Sequence, residues 1–330
     1  MWKLAVTPLA FLLLTAPGVL SQCRPGDNCK LPDCRCWDDT QLPGSLAASD
    51  IPQMVIVSFE YGINSANVDS YLELFDGITN PNGCQPKATF FPTELNTDFT
   101  VIKSLYDGKH EIAMTTPTGA IPLDADEWKK AFSDMKAKIS GAGVPESEVI
   151  GTRGPELYCG GNDQFDSIKE NKLVYDSTCV TLEYTDKNTF LWPFTYDYIE
   201  NTPECTIGKT PTMAYPGMWQ FLVADLTFKG TKCASPSACS LEIVDSQDAF
   251  DFFYNSFALH YEGTTKAPFI LYIDPLWLSV EHQRQGTKQF LEFIRAAFDD
   301  TWIVTTQQAL AWIQTPVASV NATDFQPWEC

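Results

Sequence analysis

Histidine is almost missing from this chain. Among 330 residues there are three, His110, His260 and His282, and no two stand within a helical turn of each other. Paired imidazoles, the usual nitrogen ligands of zinc-type ions, are therefore not on offer. Basic residues are also scarce. Lys and Arg number 22 against 42 Asp and Glu, a net charge of −20, which excludes nucleic acid bound by counterion release. Beyond the first residues no apolar run approaches the roughly 20 needed for a membrane helix. No Gly-x-Gly-x-x-Gly or phosphate loop follows an apolar run, which weakens a nucleotide-binding reading. No Pro/Ser-rich linker, low-complexity tract or fixed repeat divides the chain, so one large domain is expected.

Against these absences, cysteine is abundant. All 11 lie after a short leader in which Lys3 precedes an apolar stretch from Leu4 to Leu14, broken by Pro17 and Gly18. That pattern reads as a secretory signal, residues 1–21. Secretion supplies oxidising conditions, so the thiols are expected as disulfides. A zinc cluster of Cys29, Cys34 and Cys36 is the competing reading, weakened by the spacing and by the lack of a nearby histidine. The odd count leaves one thiol over. Cys233 and Cys239 are expected as a local pair, and Cys330 as a tie to the amino-terminal segment. Asn321-Ala322-Thr323 is a glycosylation sequon. Residues 22–45 read as a cysteine-rich extension on a domain of residues 46–330.

Within that domain, apolar runs alternate with helical spacing. Met54–Phe59 is the type of run expected of a strand buried on both faces. Lys87–Phe91, His110–Met114, Val149–Thr152, Leu173–Tyr175, Phe269–Ile273 and Trp302–Val304 are further strands. Helical patterns follow them, at Val68–Phe75, Phe99–Tyr106, Trp128–Ile139, Phe290–Phe298 and Gln307–Trp312. Strand–helix alternation implies a parallel sheet, open or closed as a barrel, with chemistry at the carboxyl ends of the strands. Those ends are Ser58–Gly62, Met114–Gly119, Arg153–Leu157 and Asp274–Trp277.

The same strand ends, with Cys29–Cys36, Asn80–Phe91, Gly160–Asn162, Leu191–Pro193, Tyr215–Trp219 and the Pro-Trp-Glu-Cys330 ending, resemble the polysaccharide deacetylases of carbohydrate esterase family four, in their animal chitin deacetylase branch. The resemblance implies a distorted (β/α) barrel, with removal of acetyl groups from N-acetylglucosamine as the family's chemistry. It also implies a divalent metal held by an aspartate and two histidines, an aspartate base and a histidine acid. This chain departs from that pattern at every ligand. Glu60 stands at the base position, and Tyr61 replaces the ligand aspartate. Thr115 and Gly119 replace the two ligand histidines, and Asp274 replaces the acid. Arg153 survives, and is expected to pair with Glu60.

Three functions follow. The first is a secreted chitin deacetylase-like protein without catalysis, without zinc or other cofactor, binding chitin or chito-oligosaccharides in a vestigial groove. Tyr61, Trp219 and Trp277 are its stacking candidates, with ordinary core packing as the alternative for each. The second is an active hydrolase with an atypical site built on Glu60 and Asp274. The third is a partner-binding protein of a chitinous matrix. No interface is marked, and a monomer is expected. The three histidines read as structural, with His282 solvated. Relatives carry a cysteine where Thr210 stands, so the resemblance makes Cys205 the candidate free thiol.

Overall fold

The computed structural model describes residues 22–180 and 189–330. The signal segment lies outside the described residues. The apolar run of the first strand, Gln53–Tyr61, is buried from Gln53 through Glu60, because strands flank it on both edges. It pairs in parallel with Phe269–Ile273 on one edge. It also pairs in parallel with Thr301–Val304 near its start and with Thr89–Pro92 near its end. Thr89–Pro92 then pairs with Glu111–Ile112, and a bridge from Met114 to Thr152 carries the sheet onward. Gly151–Thr152, Tyr175–Asp176 and Tyr215–Gln220 follow in parallel. The circuit closes where Ala224 N donates to Ile270 O at 2.9 Å. The result is a distorted (β/α) barrel. Its distortion comes from strands of two or three residues whose neighbours are joined by single bridges.

Helices cover the outside at the spacings the sequence predicts, and one more, Ser246–Glu262, joins them. Ala125–Gly141 starts at Asp124, whose carboxylate accepts from Glu127 N, while Glu127 accepts from Leu123 N. The Asp124 bond satisfies a backbone donor that the first turn leaves free, and the Glu127 bond fixes the residue before the cap. Ser246–Glu262 packs on Glu281–Ala297 through Phe253, Phe257 and Phe290. The approach is close at Gly286, where an added Cβ would stand 2.5 Å from Ala249 Cβ. Only glycine permits it. Phe298 lies just beyond this helix, as its cap residue.

The amino-terminal segment is stapled by Cys23–Cys36 and Cys29–Cys34. It lies along Phe194–Tyr196, with Arg35 and Thr195 exchanging hydrogen bonds and Tyr198 donating to Asn28 O. Cys233–Cys239 forms as the sequence suggests. Two expectations are corrected. Cys330 is bonded to Cys84, not to the extension. Trp328 stacks on Trp302 and its carbonyl accepts from Asn82, which brings the chain end to the turn before the second strand. Cys205 is not free: Thr206 N donates to Val180 O, which sets Cys205 beside Cys179, and the two are bonded. The free thiol is the buried Cys159.

The Cys84–Cys330 bond closes a sequence separation of 246, so it removes much freedom from the unfolded chain. Replacing both cysteines by serine is expected to lower unfolding free energy by about 2–5 kcal/mol in denaturant titration. A peptide map without reduction should show Cys179 linked to Cys205, and Cys159 alkylated only after unfolding.

Candidate functional site

The carboxyl ends of the barrel strands bring Glu60, Tyr61, Thr115, Gly119, Arg153 and Asp274 into one region, as the sequence suggests. Arg153 is fully buried at its centre. Its guanidinium donates to Ser177 O at 2.8 Å, Ser58 Oγ at 3.0 Å and Ser177 Oγ at 3.1 Å. Its Cζ lies 4.2 Å from the Phe91 ring centre and 5.2 Å from that of Tyr272. The expected pairing with Glu60 is not the contact formed: serines take these N–H groups, and Glu60 acts on the cation only through space. Burial lowers the Arg153 pKa, and the Glu60 charge opposes that shift.

Glu60 is likewise fully buried, and neither of its oxygens has a hydrogen-bond partner among the described residues. Burial pushes its carboxyl up to about 8. Arg153 pulls against this, Glu156 and Asp274 add to it, and Thr115 favours the ionised form without reaching ordinary hydrogen-bond geometry. A desolvated carboxylate is costly when charged.

Tyr61 ends the first strand with φ of 78°. Its hydroxyl donates to Glu156 Oε1 at 3.0 Å. A Cβ placed on Gly119 would meet Tyr61 Cε1 at 3.5 Å and Thr93 Cγ2 at 3.6 Å, and Gly119 itself has φ of 72°. The phenol therefore packs on the face from which a side chain at 119 would leave. Burial, then the charges of Glu60 and Glu156, raise the Tyr61 pKa, so the phenol stays neutral. A neutral phenol engaged by a carboxylate, a buried threonine hydroxyl and a glycine do not fit a zinc ion, which takes imidazole, thiolate or carboxylate donors. Among the described residues, three-membered groups of such donors within reach of one another are cysteine sets, Cys23/Cys29/Cys36 and Cys159/Cys179/Cys205.

Asp274 is committed. It caps the helix Pro275–Ser279, accepting from Trp277 N at 3.0 Å, and also accepts from the Ser237 backbone and hydroxyl. A group holding three donors is poorly placed to deliver a proton. Trp219 and Trp277 are corrected as stacking candidates. Trp219 is buried in the barrel wall opposite Tyr175, and Trp277 is enclosed by Phe252, Phe253 and Thr287. Each is a core residue, as the alternative reading held. Tyr61 is half-buried and keeps an accessible edge.

The histidines are held elsewhere. His110 accepts from Ala88 N, and burial lowers its pKa to about 4. His260 is buried against Phe190 and Phe269, with its pKa lowered to about 3. His282 is half-buried beside Ile243 O rather than solvated. Sequence reasoning passed over Glu156. It follows the strand end in a left-handed conformation, φ 56°, which nothing in Gly-Pro-Glu-Leu announces. It also passed over Asp176, which is held by Thr178 and Gln164, with burial raising its pKa to about 6.

No family model matches the chain. It is 31% identical over 321 residues to chitin deacetylase 1 of Bombyx mori, covering 91% of this chain and 58% of that protein. It therefore spans rather more than half the length of that relative. It is 30% identical over 302 residues to chitin deacetylase 8 of the same organism, covering 88% of this chain and 78% of that protein. Among solved structures it resembles a polysaccharide deacetylase-type protein from Mycobacterium smegmatis, at TM-score 0.54 and 14% identity over 86% of this chain and 93% of that one. It also resembles the allantoinase Puue, at TM-score 0.55 and 13% identity over 84% and 95%. These structural likenesses establish the fold.

The raised Glu60 pKa has a signed consequence. A carboxyl whose folded pKa lies above its unfolded value contributes stability at low pH, which is lost as pH rises from about 4.5 to about 8. Glu60→Gln removes this term. Its stability relative to the natural protein is expected to rise between pH 5 and pH 9, by a few kcal/mol at most, read from denaturant midpoints at each pH.

Proposed function

The chain belongs to the polysaccharide deacetylase family, among the chitin deacetylases, and we propose that it is a secreted member without deacetylase activity that keeps the strand-end cleft for chitin or chito-oligosaccharides. One observation carries this reading. The Tyr61 ring lies against Gly119, so two positions that hold the metal in the family meet as a phenol and a glycine.

The family's chemistry needs three things at the scissile amide: a polarised carbonyl, an activated water and a proton for the leaving amine. Here the metal ligands are absent in kind. The residue at the base position is covered and unpartnered, and that at the acid position serves as a helix cap. The buried Arg153 gives its N–H groups to Ser58 and Ser177 and not to a developing oxyanion. Secretion is supported by the five disulfides and by the leader pattern. No described helix is long and apolar enough to cross a membrane. The half-buried Tyr61 is the aromatic surface left for a sugar ring.

A second reading, an active enzyme of altered mechanism, has one feature in its favour. A carboxyl with pKa about 8 is protonated at neutral pH and could donate a proton. Acetate release separates the two. Purified secreted protein incubated with N-acetylglucosamine oligomers, with and without added zinc or cobalt, is expected to release no acetate above the blank while an active relative does. Release that a chelator abolishes would overturn the proposal.

A further inference from the structure

Near its carboxyl end the chain carries a feature that neither the barrel nor the strand-end site uses. Asn321 is the asparagine followed at the second position by a hydroxyl residue, in Asn321-Ala322-Thr323, with no proline between; the other asparagines lack that hydroxyl. Such a triplet accepts an N-linked oligosaccharide when it stands on an accessible surface segment of a secreted chain. Accessibility is therefore what the fold has to supply.

The triplet lies in the turn Ser319–Asp324, which follows the helix Thr306–Gln314. Its middle residue, Ala322, is fully buried in the same apolar cluster as Phe325 and Trp328. Asn321 and Thr323, on either side of that anchor, are both exposed, and Val320 before them is 85% exposed. Main chain holds the turn: Asn321 N donates to Ala318 O at 2.8 Å, and Phe325 N donates to Ala322 O at 3.2 Å. Among the described residues neither the Asn321 amide nor the Thr323 hydroxyl is given to a partner. Asn82 marks the contrast. Its amide donates to Trp328 O at 2.8 Å, and the second residue after it, Cys84, is bonded to Cys330.

The turn also stands apart from the strand ends in the order of the chain. Trp312, near the end of the helix, stacks on Trp192, and Trp192 Nε1 donates to Thr265 O. Thr265 precedes the strand Phe269–Ile273, and Asp274 follows it. The helix thus delivers the chain to the amino-end side of the barrel before the turn begins.

We propose that Asn321 carries an N-linked glycan. This rests on the reading that the chain is secreted. The donor is a lipid pyrophosphate-linked oligosaccharide of the secretory lumen. Asn321 Nδ2 forms a bond to the anomeric carbon, the bond from that carbon to the pyrophosphate oxygen breaks, and the lipid pyrophosphate leaves as the amide gives up one proton. The Thr323 hydroxyl completes the acceptor triplet.

The test follows the full chain through secretion from cultured eukaryotic cells. The secreted natural protein is expected to lose the mass of one oligosaccharide on treatment with a peptide N-glycosidase, and the peptide map is expected to read aspartate at position 321. Asn321→Gln and Thr323→Ala are each expected to be secreted without the sugar, while Thr323→Ser, which keeps the hydroxyl, retains it. Secreted protein whose Asn321 peptide is unmodified overturns the inference and leaves secretion standing. A mass loss that persists in both Asn321→Gln and Thr323→Ala puts the sugar elsewhere and also overturns it. Unmodified protein recovered from the cytosol, with none in the medium, removes the secretion reading and this inference together.

Discussion

A single buried guanidinium organises the barrel. Arg153 joins the strand that carries it to Ser58 on the first strand and to Ser177 beyond the Tyr175–Asp176 strand. It also lies over the rings of Phe91 and Tyr272 from two others. An arginine this deep costs several kcal/mol unless its donors are spent and opposite charge lies near. The serines take the donors, and Glu60 and Asp176, as each ionises, oppose the desolvation through space. When ionised, the acid at position 60 favours a cation that the strands need. Removing the cation would leave Glu60 and Asp176 as uncompensated buried acids.

The site and the scaffold are therefore one set of contacts read two ways. Asp274 occupies a strand end where chemistry would be done, yet its oxygens start a helix and hold Ser237. Tyr61 stands where the resemblance puts a ligand, and its hydroxyl is instead tied to Glu156. Such replacements reinforce one another. Under the proposal that no ion is held, the cavity it would need can be filled, and a filled cavity packs better than an open polar one.

Much of the fold was legible in the sequence, because a barrel strand buried on both faces leaves a run such as Met54–Phe59 that no other element explains as well. The short strands were less legible. Tyr175–Asp176 is two residues long, below the length at which periodicity carries information. Cysteine pairing was only partly readable. The six-residue spacing of Cys233 and Cys239 announces itself, whereas Cys84 and Cys330 stand 246 residues apart and meet where Asn82 donates to the Trp328 carbonyl. Position identified the cleft residues, but burial decided their roles. Trp219 and Trp277 lie near the right strand ends and point into the core. The Asp274-Pro275 pair did carry a signal, since aspartate followed by proline marks a helix start. That signal agrees with the cap and argues against a mobile acid.

The account turns on Tyr61 and Gly119 having displaced metal coordination. The most direct measurement is the metal content of the secreted protein, by elemental analysis after passage through a zinc-containing buffer and desalting. The account predicts no zinc above the buffer blank, and no more in Glu60→Gln than in the natural protein. One zinc ion retained per chain, with the five disulfides intact, would contradict it.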